Sequence, residues 1–95
     1  MRASVNDVGN LHFVFKEYDD NVVVVYRILN AGEVEFLDDD CVGIELFDFE
    51  RQINRGKIQN VGIRRAEIRE DTFVFHVDVD GQAVNGRLNL TPLKE

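Results

Sequence analysis

The sequence predicts a mainly β protein: two antiparallel three-stranded meanders packed as a small sandwich or partly open barrel, with a short strand and/or helical turn near 42–55. Three observations carry this. Apolar residues recur with a period of two over several runs, Asp80-Gly81 forms a strong hairpin turn, and the apolar residues of the last two strands fall on one face when the chain is folded there. At 95 residues the chain makes a single domain, 1–95, because a second core would be too small to stabilise itself.

The elements follow in order. Leu11, Phe13 and Phe15 alternate with His12, Val14 and Lys16, giving a strand over 10–17 with one buried face. A turn is expected in Tyr18-Asp19-Asp20-Asn21. A two-residue loop there sets Phe15 against Val24 and Phe13 against Tyr26, whereas a three-residue loop with Asn21 left-handed shifts the register. The strand over 22–29 is apolar on both faces, the mark of a central strand. Asn30-Ala31-Gly32-Glu33 then turns the chain, bringing Leu29 near Val34 and Arg27 near Phe36.

The middle is ambiguous. Val42, Ile44 and Leu46 alternate as a strand, yet Val42, Leu46, Phe49 and Ile53 share a helical face. A strand over 42–47 followed by a helical turn over 48–55 is the favoured pattern, with one continuous helix as the alternative. Residues 54–62 form a basic loop. A strand over 63–69 turns at Glu70-Asp71 and pairs Ile68 with Phe73 and Ala66 with Phe75. The final hairpin pairs Val79 with Gln82, Val77 with Val84, Phe75 with Gly86 and Phe73 with Leu88, and Gly86 leaves room for the Phe75 ring.

Composition narrows the function classes. The net charge is −7, distributed unevenly: residues 1–50 hold twelve acids and three bases, whereas 51–69 hold six bases and one acid. An acidic chain is disfavoured for nucleic acid, whose phosphates need a positive surface. No apolar run approaches the roughly 20 residues of a membrane-spanning helix, and the first residues lack a secretory h-region. With its one cysteine, Cys41, the chain is expected to be cytoplasmic.

Catalytic motifs are missing. Ser4 is the lone serine and lies in no nucleophile motif, and phosphate-loop, dinucleotide and zinc-helix patterns do not occur. Asp38-Asp39-Asp40 fails the calcium-loop spacing because the third ligand position falls on Val42. Cys41 beside an apolar run reads as a small buried hydrophobe. The expectation is therefore no enzyme, no metal and no cofactor.

What remains is a noncatalytic interaction protein that recognises a basic macromolecular partner, as an inhibitor or immunity-type protein would, or that self-associates as a homodimer. Its candidate partner-binding residues are Glu17, Asp19, Asp20, Glu35, Asp38, Asp39 and Asp40 on the acidic side. On the basic side they are Arg51, Arg55, Arg64 and Arg65. The alternative is a small-ligand β cleft lined by aromatic residues (Phe13, Phe15, Tyr26, Phe36, Phe73, Phe75), with His76, Asp78 and Asn85 as a polar lining.

Overall fold

The computed structural model describes residues 1–19 and 23–94, the Lys94 side chain aside. Among these the chain forms eight strands: β1 (Arg2–Val5), β2 (Leu11–Val14), β3 (Val24–Ile28), β4 (Gly32–Leu37), β5 (Asp40–Leu46), β6 (Val61–Arg69), β7 (Thr72–Val79) and β8 (Gln82–Asn89). A single helical turn, α1 (Phe49–Gln52), follows β5, and a 3-10 turn at Thr91–Lys94 follows β8. The strands make two antiparallel sheets, ordered β1-β2-β5-β4-β3 and β6-β7-β8. They stack as a sandwich and do not close into a barrel.

The three-stranded sheet has the expected register. Ile68 pairs with Phe73 and Ala66 with Phe75 across β6 and β7, and Val77 pairs with Val84 and Phe75 with Gly86 across β7 and β8. Asp80 and Gly81 take φ of 48° and 89°, the two positive values a type I′ turn requires. A Cβ on Gly86 would strike the Phe75 ring, so glycine is what lets that ring lie flat over β8. Burial on β7 alternates strictly, with Phe73, Phe75, Val77 and Val79 inward.

The five-stranded sheet departs from the expected meander. Strand β2 does not pair with β3: Phe13 lies opposite Ile44 of β5 on one side and Ala3 of β1 on the other. Consecutive hairpins join β3, β4 and β5, and β2 lies beside β5, a Greek-key arrangement. The expected turn over Tyr18–Asn21 and the start of the second strand lie partly outside the described residues. Strand β3 is an edge, not a centre. Two-sided apolarity was a poor guide here because Val24, Val25 and Tyr26 stay about half exposed.

The β3–β4 register also differs. Ile28 faces Gly32, Tyr26 faces Val34 and Val24 faces Phe36, instead of Leu29 facing Val34. Asn30, at φ 61°, supplies a left-handed residue to a tighter loop over Leu29-Asn30-Ala31. The shift puts Arg27 opposite Glu33 where the expected register gave it Phe36. Strand β1 was not foreseen, since Ala3 and Val5 alone carry its apolar alternation. A side-chain bridge completes the β1–β2 turn: the Asn6 amide oxygen accepts from the backbone N–H of Val8 and of Asn10.

The two inner faces meet in one core. Phe13 sets its ring edge-on to Phe73 with centroids 5.0 Å apart, and lies 5.3 Å from Phe75. Leu11, Phe13, Val34, Ile44, Phe73, Val77 and Val79 are wholly inaccessible to solvent. The strand-then-helical-turn pattern holds over the ambiguous middle, as β5 and α1. Phe49 on α1 closes the end of the sandwich, 6.4 Å from Phe75. The Asp80 carboxylate then clasps the basic loop by accepting from the backbone N–H of Gln59 and Asn60.

Candidate functional site

Strand pairing decides which charged side chains share a surface. On the outer face of the five-stranded sheet one cross-strand row reads Ser4, His12, Glu45, Glu33, Arg27, and the next reads Arg2, Val14, Gly43, Glu35, Val25. Three glutamates therefore meet in the middle of this sheet. On the outer face of the other sheet the rows read Arg65, His76, Asn85; Glu67, Val74, Arg87; and Arg69, Thr72, Asn89. Arg64 sits at a bulge beside them and donates to Asp78 at 2.8 Å. Acid outnumbers base on the first face, where Arg2 and Arg27 accompany the three glutamates, and arginine outnumbers acid on the second, where Glu67 and Asp78 lie among the arginines.

The centre of the acidic face is a compact cluster. The Nε2 of His12 lies 2.5 Å from one Glu35 oxygen, and the Tyr18 hydroxyl donates to the other at 2.6 Å. Gly43, directly opposite Glu35, leaves the space the carboxylate occupies: a Cβ there would lie 2.5 Å from Glu35 Oε1. Both oxygens are engaged and the Glu35 side chain is only 14% exposed. Chemically this is a strut that ties β2 and the segment after it to β4. It was missed in the sequence because His12 and Glu35 become neighbours only when β5 lies between their strands.

The other expected acids divide. Glu17 pairs with Arg2 at 3.0 Å, and that contact holds the carboxyl below its ordinary value. Asp40 pairs with Lys16 at 3.3 Å. Asp38, Asp39 and Asp40 are exposed at the β4–β5 turn, with Asp38 left-handed at φ 55°. Asp20 lies outside the described residues, and Asp19 lies in the segment that leads from β2.

The basic segment is split by the fold. Arg51 and Arg55 lie on α1 and just beyond it, with Arg55 bonded to Gln82 and Asp80. Arg64 and Arg65 lie on β6, on the outer face, where Arg65 pairs with Glu67. Asp80 is held below the usual carboxylate range, first by the Asn60 and Gln59 amides and then by Arg55.

The three polar residues expected to line a cleft do not share one. Asn85 lines an open groove of about 370 Å³ between β8, α1 and the β3–β4 turn, together with Phe49, Phe75 and Arg87. Asn85 also pairs with His76 on the outer face, where His76 and Asp78 lie half-buried beside the arginines and line no shared groove with it. Of the aromatic residues, Phe13, Phe15, Phe73 and Phe75 fill the interior, while Tyr26 and Phe36 line a second groove of about 330 Å³ with Val24, Leu93 and the two aspartates Asp38 and Asp39.

Cys41 is a poor nucleophile. Burial pushes its thiol up to about 11, the Glu35 charge adds to the rise, and only the Gly43 backbone opposes it. Among the described residues no group of three or more His, Cys, Asp or Glu side chains is arranged to hold a metal ion, and no helix is long and apolar enough to cross a membrane. Comparison with family models, with curated proteins and with solved structures finds no match for this chain.

Proposed function

We propose that this protein is a noncatalytic binding module whose acidic side recognises a basic macromolecular partner. The observation that supports it best is the opposite charge bias of the two outer faces, with Glu33, Glu35 and Glu45 outnumbering Arg2 and Arg27 on one sheet and Arg64, Arg65, Arg69 and Arg87 outnumbering Glu67 and Asp78 on the other. The exposed turn at Asp38-Asp39 extends the acidic side to the sandwich edge. Glu35 sets the field of this face from beneath, and the two turn aspartates are its free contacts. Complementary charge of this kind raises association rate and enforces choice of partner more than it adds raw affinity.

An inhibitor or immunity-type protein covering a basic surface is one form this takes. The cytoplasm suits it, because a single suppressed thiol needs no oxidising compartment. The test is capture from host extract on the immobilised protein, at low and at high salt, repeated with Asp38→Asn/Asp39→Asn. Asparagine keeps the left-handed turn and removes only charge. A partner released by salt and weakened severalfold by the double variant supports the proposal; no salt-sensitive partner, or one indifferent to the variant, overturns it.

A further inference from the structure

Strand β3 is hydrogen-bonded to β4 alone, so one backbone edge of Val24–Ile28 carries no strand among the described residues; the 3-10 turn at Thr91–Lys94 packs near it, with Leu93 in the groove lined by Val24 and Tyr26. Such edges are normally guarded by charge, proline or a bulge, because bare backbone beside apolar side chains invites another strand. Within β3 itself there is neither proline nor bulge. Val24, Val25, Tyr26 and Leu29, four of the seven exposed large hydrophobics among the described residues, fall within six positions of it. The bulge in this sheet lies between β4 and β5, away from the edge. Only Arg27 is charged, and Glu33 already neutralises it at 3.1 Å.

We infer that β3 is a dimerisation strand that pairs antiparallel with β3 of a second copy, about a two-fold axis at Tyr26. This goes beyond the acidic-side proposal and stands or falls separately. The second copy is favoured over a foreign strand because β3 is its own complement. Full overlap of Val24–Ile28 places Val24 opposite Ile28, Val25 opposite Arg27 and Tyr26 opposite itself. Inner apolar residues then face inner apolar residues. On the outer face each row runs Glu33, Arg27, then Val25 and Glu35 of the second copy, so every guanidinium lies between two carboxylates in its row and no like charges stand directly opposite, the two Arg27 being diagonal. A strand apolar on both faces would thereby become the central strand its sequence describes, in a continuous ten-stranded sheet.

The test combines mass with position-specific cross-linking. Sedimentation of the intact chain at up to roughly 100 μM should give twice the 10.9 kDa monomer mass. Val25→Lys sets a lysine opposite Arg27 of the second copy while facing Glu35 in its own chain. It should keep the far-ultraviolet circular dichroism and raise the dissociation constant roughly 100-fold. In a Cys41→Ser background, Tyr26→Cys should be captured as a dimer by a short thiol cross-linker. Leu29→Cys should escape it, because six residues of strand separate its two copies by roughly 20 Å. A monomer at every concentration, a dimer indifferent to Val25→Lys, or equal capture at both cysteines would overturn the inference. A chain that stays monomeric yet takes up another protein's strand would also do so.

Discussion

The two sheets of this sandwich are coded differently. In β6-β7-β8 every pairing joins strands adjacent in the chain, and each turn is announced by its residues. In the five-stranded sheet the decisive contact, β2 against β5, joins segments about 30 residues apart across a two-strand excursion. Local turn chemistry fixes register in the first sheet, because a slip of one residue would turn Phe73, Phe75 and Val77 outward. Nothing local to β2 specifies β5. The comparison teaches that alternation says which face is buried, but not which strand lies alongside.

The largest effect should come where the two sheets interlock. Phe73 is fully buried and packs against Phe13, Phe15 and Phe75. Phe73→Ala should cost about 3–5 kcal/mol in urea denaturation, enough to unfold a marginal domain. If the sheets were independent, only one of two transitions would shift; the shared core predicts a single cooperative loss.

A smaller cost should follow within the local sheet. Gly86→Ala drives a methyl into the Phe75 ring and should destabilise by about 1–3 kcal/mol. The same measurement on Gly62→Ala, where a Cβ meets nothing within 4 Å, should change stability by less than about 1 kcal/mol. Equal costs would remove the steric reason for Gly86.

The turn that closes this sheet should also carry a pH signature. The Asp80 carboxyl is depressed below the ordinary aspartate value of 3.8, so its contribution is present above that value and disappears as pH falls through the depressed one. Asp80→Asn retains the left-handed turn and removes the charge. The variant should be less stable than the parent at neutral pH, and the gap between their urea midpoints should close well below pH 3.8. A gap independent of pH would show that the charge is immaterial.

The last effect is kinetic and lies in the five-stranded sheet. With its thiol near 11 against an ordinary 9.0, Cys41 should react with a disulfide reagent at neutral pH roughly 100-fold more slowly than in the unfolded chain. Fast labelling of the folded protein would mean that the thiol is less buried than the strand pairing makes it.

Much of the fold was legible, and the reasons are specific. Asp80-Gly81 and the Phe75–Gly86 pairing could be read because turn type and side-chain volume are local properties. The strand at β5 and the helical turn at α1 were separable by their alternation and by Phe49. The Greek-key crossing was not legible, nor was β1, whose Ala3 and Val5 give little signal. Asn30 could support several loop lengths, and the choice among them follows from pairing Arg27 with Glu33 across the hairpin. For the same reason the acidic site was only half visible. Asp38 and Asp39 could be named from the chain, but the Glu35 strut needed His12 and Tyr18 brought in from far away in sequence.

The strut beneath the acidic face exists only if β2 lies beside β5, since that pairing alone carries His12 to Glu45 and within reach of Glu35. Cross-strand nuclear Overhauser contacts of Phe13 test it most directly. The structure gives strong contacts from Phe13 to the backbone of Ile44 and Ala3; contacts to Tyr26 in their place would restore a sequential meander and remove the His12–Glu35 strut.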